Sequence, residues 1–186
     1  MAKEDRSLVE AQKRLLRKPV TSDITIKSGD RTWKLEGSRS EAQSRVITLH
    51  DDHPDAVDLM LLYLYTLEVP NLERTGDAEK CMLLGDKYDL PALHDGGRKA
   101  IESSIQRNVP RWHALTDLGK RQWVDFFERV WSWQIKNAIG IRTLLFAYLA
   151  SVADILIEDT LFQDLLWENR GFNLAFVKAV IKEAKG

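Results

Sequence analysis

Residues 84–93 read LGDKYDLPAL. An apolar run meets an acid and a base, continues as Tyr88-Asp89-Leu90-Pro91, and then turns apolar again. Proline lacks an N–H and disfavours helical geometry in the residue before it. It therefore stops the helix spelled by DAEKCMLLGDKYD (77–89) near Tyr88-Asp89 and occupies the first turn of the next helix. In the first of these, Ala78, Cys81, Met82, Gly85 and Tyr88 recur at helical spacing. Leu90, held extended, is placed to plug into the core between the two. The second helix continues through ALHDGGRKAIESSI (92–105), weakened at Gly96-Gly97 by about 1 kcal/mol per glycine relative to alanine. The stretch predicts a corner between two short packed helices.

Upstream, SDITIKSGDRTWKLEG (22–37) alternates twice. Ile24 and Ile26 share one face, Trp33 and Leu35 share another, and Ser28-Gly29-Asp30 supplies the tight reversal between them. This pattern predicts a β-hairpin. RVITL (45–49) is a third β-branched run and predicts a third strand, after the short polar link SRSEAQ (38–43). HDDHPDAVDLMLLYLYT (50–66) predicts a helix capped by Asp52, with Pro54 in its first turn and Asp55 near its positive end. Ala56, Val57, Met60, Leu61 and Leu64 form one stripe, and Leu59, Leu62, Tyr63 and Tyr65 broaden it, so the helix is expected to be buried on most sides. Residues 67–71 end it, and 74–77 form a loop before the next helix.

The flanks read as helical. Residues 7–18 predict a short basic amphipathic leader helix. From about 111 the pattern is helical to the end, with RQWVDFFERVWSWQI (121–135) rich in aromatic residues. The run LLFAYLASVADILI (144–157) is shorter than the roughly 20 residues a bilayer needs and reads as a buried helix. Asp159-Thr160 is expected to cap a helix, and Gly171, after Asn169-Arg170, to stop one.

A chain of 186 residues with 44% hydrophobic content is long enough to bury a core, and its net charge of −1 gives no general pull toward nucleic acid. The one cysteine, Cys81, excludes an internal disulfide and a cysteine-rich zinc site. With no secretory leader in the N-terminal sequence, the expected setting is intracellular, cytoplasmic and/or nuclear, with neither a membrane nor a nucleic acid as partner.

The residues that could carry chemistry are few. His50-Asp51-Asp52-His53 has the donor types of a metal site, but its side chains diverge at a strand-to-helix turn, and a capping turn accounts for the same residues. Cys81 lies among apolar neighbours and reads as core rather than nucleophile. Asp51/Asp52 and Glu158/Asp159 read as solvated helix starts rather than acid–base dyads. No catalytic residue, metal or cofactor is expected. Among the six tryptophans, Trp123 and Trp131 read as core, and Trp133, off their stripe, as the exposed one.

The order of hairpin, third strand, hydrophobic helix ending YLYT and helix pair broken at KYDLPAL resembles the BTB/POZ domain. The segments that carry it are SDITIKSGDRTWKL (22–35), SRVITLHDDHPDAVDLMLLYLYT (44–66) and LLGDKYDLPAL (83–93). The later helices resemble the C-terminal extension of fungal members. The resemblance implies an α+β fold, a small three-stranded sheet flanked by a helical cluster over 20–107, with residues 1–19 as leader and 108–186 as a helical extension. It also implies a protein–protein interaction module, an adaptor or scaffold that forms homodimers, and for some members the substrate adaptor of a cullin-based ubiquitin ligase.

One departure stands out. Family members carry a long helical segment between the second and third strands, where this chain has only Glu36 to Ser44. In the family that segment helps to form the homodimer face and carries a hydrophobic-x-acid element that contacts cullin. The nearest match here is Arg39-Ser40-Glu41, with arginine in the apolar position. The shortened link is expected to leave Ile24, Ile26, Trp33 or Leu64 partly uncovered. Together with Tyr65, Leu67, Val69 and Trp133 these are the candidate interface residues for a protein partner or a second copy.

Overall fold

The computed structural model describes residues 24–35, 45–133 and 138–185. The leader expected over 7–18 and the link 36–44, with Arg39-Ser40-Glu41, lie outside them. The fold is α+β: a three-stranded mixed sheet followed by a mostly helical chain. The chain divides into two compact units between Gly97 and Arg98.

In the first unit, β1 (Ile24–Ser28) and β2 (Arg31–Leu35) pair antiparallel, Ile24 opposite Leu35 and Ile26 opposite Trp33. Gly29, at φ 54°, supplies the left-handed residue that the two-residue turn requires. β3 (Arg45–Thr48) pairs parallel with the other side of β1, giving the order β2-β1-β3. Alternation brings Ile24, Ile26, Ser28, Trp33 and Leu35 to one face, where Ile26, Ser28 and Leu35 are buried. Ile26 is thus core, not the uncovered surface residue its sequence context suggested.

Helix α1 (Pro54–Thr66) buries Ala56, Val57, Met60 and Leu61 against that face, with Cys81, Leu84 and Leu93 in the same cluster. Leu64, expected on the buried stripe, is exposed, and Leu67 ends the helix in the left-handed conformation with its N–H on the Tyr63 carbonyl at 2.7 Å. The N-cap is His53, whose Nδ1 accepts the Asp55 N–H at 3.2 Å. Asp52, the cap expected from sequence, is drawn inward instead.

Helix α2 (Thr75–Lys87) starts two residues before the DAEKC motif and ends at Tyr88. Asp89 then adopts φ 52°, and the Leu90 N–H returns to the Gly85 carbonyl at 2.8 Å. This six-to-one bond closes the helix as a left-handed cap does. The Leu90 carbonyl accepts the His94 N–H at 3.0 Å, so Pro91 opens α3 (Pro91–Asn108) at its first position. The corner is the one LGDKYDLPAL predicts, with Leu90 packed against the core.

That corner places Lys87 and Tyr88 over Asp52. The Tyr88 hydroxyl donates to Asp52 Oδ2, Lys87 Nζ donates to Oδ1 at 2.8 Å, and Ser28 Oγ donates to the Asp52 carbonyl at 2.5 Å. One buried residue thereby joins the end of β1, the turn before α1 and the end of α2.

In the second unit a 3-10 turn (Val109–Ala114) precedes α4 (Asp117–Ser132), α5 (Ala138–Ser151), α6 (Ala153–Leu156), α7 (Thr160–Glu168) and α8 (Arg170–Glu183). The single buried helix expected over 144–157 is broken at Val152. The core is aromatic: Trp112 stacks on Phe127 with ring centroids 6.0 Å apart, and Phe162 meets Phe176 edge-on at 5.2 Å. Asp159 caps α7 as expected, accepting the Leu161 N–H at 3.1 Å, and it also pairs with Lys120 at 2.7 Å. Burial by itself would raise this carboxyl. The Lys120 ammonium, which donates to it, and the Phe162 N–H overcome that and hold it below the usual carboxylate range. Gly171 lies inside α8 rather than stopping a helix. Asn169 caps that helix through the Phe172 N–H at 3.2 Å, and a β-carbon at Gly171 would stand 3.1 Å from the Trp131 ring.

Gly97 has a role that helix propensity does not show. A β-carbon there would lie 2.5 Å from the Ala78 carbonyl oxygen and 2.6 Å from the Met82 nitrogen, and one at Gly85 would lie 2.6 Å from the His94 Cα. The two helices touch backbone to backbone. Gly97→Ala is therefore expected to lower stability in urea unfolding by about 1–3 kcal/mol, as overpacking does. A rise of about 1 kcal/mol, the helix-propensity outcome, would refute the close approach.

Candidate protein-interaction surfaces

The residues with reactive potential are engaged in structure. Cys81 is fully buried, and burial, with Asp77 nearby, pushes its thiol up to about 12, so it stays protonated at neutral pH. Asp52, read from sequence as a solvated helix start, has a side chain 4% exposed and held by Lys87. Asp159, read the same way, has a side chain 10% exposed and held by Lys120. His53 faces solvent beside Asp55 while Asp52 points inward, so the four-residue run 50–53 does not converge. Among the described residues no three His, Cys, Asp or Glu side chains gather as a metal-binding group. No described helix is long and apolar enough to cross a membrane.

The eight candidate interface residues separate by environment. Ile26 is buried, while Ile24, Trp33 and Tyr65 are half-buried and packed on the core. Trp33 is further fixed by its indole N–H, which donates to Asp58 Oδ1 at 2.7 Å. Arg31 reaches the same Asp58 at 2.7 Å and Asp55 at 2.8 Å, which ties the hairpin to the outer face of α1. Leu64, Leu67 and Val69 are exposed, Leu67 by 78%. In the second unit Trp133 is half-buried, edge-on to Phe126 at 6.2 Å.

Large apolar residues are also exposed outside the sequence candidates, Val46, Ile47 and Trp167 among them. Val46 and Ile47 on β3 are 56% and 45% exposed. Their run reads as an ordinary strand, and only the order of the described strands places it at an edge among them. Trp167, 90% exposed, carries a signal that periodicity could have found. Phe162 and Leu165 define the buried side of α7, and Trp167 lies opposite at 100° per residue. Trp131, expected in the core, is half-buried.

No protein-family model matches the chain, and no curated protein is significantly similar to it.

Electrostatics around Asp52 give a pH signature. Burial raises the Tyr88 phenol, and Asp52 pushes it the same way; the hydrogen bond to Asp52 raises the Lys87 ammonium. Groups whose folded pKa is raised stabilise the fold fully below their ordinary values and lose that contribution as pH climbs through the folded ones. Stability should therefore hold up to the ordinary tyrosine value of 10.0 and fall above it, and Tyr88→Phe should make that fall shallower. Denaturation curves across this range with the same slope for both proteins would contradict the assignment.

Proposed function

We propose that the chain is a non-enzymatic protein-interaction module of the BTB/POZ type, an adaptor or scaffold whose partner is a second copy of itself. The element order supports this reading. A hairpin, a third strand, a hydrophobic helix and a proline-split helix pair follow one another as in that family. The observation that carries it is the exposure of large apolar side chains in the first unit: Val46 and Ile47 on β3, Leu64 on α1, and Leu67 and Val69 just after that helix. Large apolar side chains gain by leaving water, and an edge strand offers unpaired N–H and C=O groups to another chain. The chemistry of the module is surface complementarity. Asp52, Cys81 and Asp159 each serve packing, capping or pairing, and Arg31, Asp55 and Asp58 hold the hairpin in place.

The test is light scattering of the full chain over a dilution series. The wild-type protein should move between monomer and dimer with concentration. Leu64→Lys and Ile47→Lys, with native circular dichroism, should each weaken association by about tenfold or more, as loss of a central interface contact does. A wild-type protein that stays monomeric at every concentration contradicts the reading. So does a dimer that both substitutions leave intact.

A further inference from the structure

The second unit holds a cation that the proposed interface does not use. Arg142, half-buried on α5, turns its guanidinium back to the end of α4. Its Nε donates to the Val130 carbonyl at 3.0 Å, a terminal nitrogen donates to the Trp133 carbonyl, and the group lies 5.5 Å from the Trp131 ring centroid. Carbonyls and a ring face orient the guanidinium but bring no formal negative charge. No carboxylate among the described residues pairs with it. A fixed, partly desolvated guanidinium of this kind suits an incoming carboxylate, which it can meet with two parallel N–H donors.

Beside it a groove of about 650 Å³ opens between α5 and α8. Trp131, Ile139 and Phe146 supply apolar surface, and Ala175 and Ala179 keep the α8 side open. Lys182 adds a second cation from α8, and Glu183 is the one acid among the described lining residues. The volume falls in the range of about 300–1,000 Å³ typical of small-molecule sites. The lining runs from Ile139 to Ala147 on one helix and from Ala175 to Glu183 on the other, about 12 Å at 1.5 Å per residue. That is about two helical turns.

We infer that this groove binds a small amphipathic carboxylate, its acid on Arg142 and Lys182 and its hydrocarbon body along Trp131, Phe146 and Ile139. The site lies wholly in the second unit and does not depend on self-association through the first. The guanidinium selects the anion, and the apolar walls supply the affinity.

Calorimetric titration of the full chain with sodium laurate, below its micellar concentration, tests this against the neutral analogue dodecanol. Laurate should bind once per chain, and dodecanol should bind about tenfold more weakly or worse, the loss expected when a charge-assisted pair is removed. Ala179→Trp, which fills the groove, and Lys182→Glu, which reverses the rim charge, should each weaken laurate by a similar factor. If Ala179→Trp does not fold, Lys182→Glu and the alcohol comparison decide. No saturable binding, equal affinity for laurate and dodecanol, or unchanged binding in folded variants would each overturn the proposal.

Discussion

A carboxylate taken out of water must be met by charge and by hydrogen-bond donors, or it costs several kcal/mol. Asp52 meets that demand with Lys87 and Tyr88, two consecutive residues at the end of one helix, while its backbone carbonyl takes the Ser28 hydroxyl. Neighbouring positions on a continuing helix point 100° apart and do not converge readily on one group. Here the helix ends at Tyr88, Asp89 turns left-handed, and the chain restarts at Pro91. The sequence KYDLP thus works as a clamp: its helix end supplies the donors, and its turn and proline fix the direction in which they are held.

The clamp links the parts from which the first unit's surface is built. Ser28 closes β1, Asp52 precedes α1, and α1 carries Leu64 and leads to Leu67. On the outer side Arg31 and Trp33 of the hairpin hold Asp58 of the same helix. Sheet and helix are therefore tied at the turn end of the hairpin, by a buried contact at Asp52 and an exposed one at Asp58. The second unit relies on other physics. Its core is a set of edge-on and stacked aromatic rings, and Asp159 joins a helix cap to an ion pair with Lys120.

The parts of the fold that local chemistry decides were legible in the sequence. Alternation with Gly29 gave the hairpin, Pro91 the corner, and Asp159 the cap of α7. What was hidden depends on partners distant in sequence. Asp52 looks like a cap because its local context is that of one, and the competing donors stand 35 and 36 residues away. Gly97 looks like a weak point in a helix until the α2 backbone is seen against it. Ile26, expected to be partly uncovered, is buried, and Leu64, read both as part of the buried stripe and as partly uncovered, is exposed, since β-sheet faces and helix stripes show which residues share a side but not which side is covered. The exposure of Val46 and Ile47 follows from strand order, which no local pattern encodes. At the groove, Trp131 reads as core because aromatic periodicity does not distinguish a filled interior from the wall of a cavity.

The Asp52 carboxylate and the Tyr88 hydroxyl stabilise the first unit as a pair. A double-mutant cycle with Asp52→Ala and Tyr88→Phe, followed by urea unfolding, measures that directly. A coupling of about 1.5–3 kcal/mol is expected, the range for a hydrogen bond to a charged group. Effects that add to within about 0.5 kcal/mol would show that the two residues act independently and would contradict it.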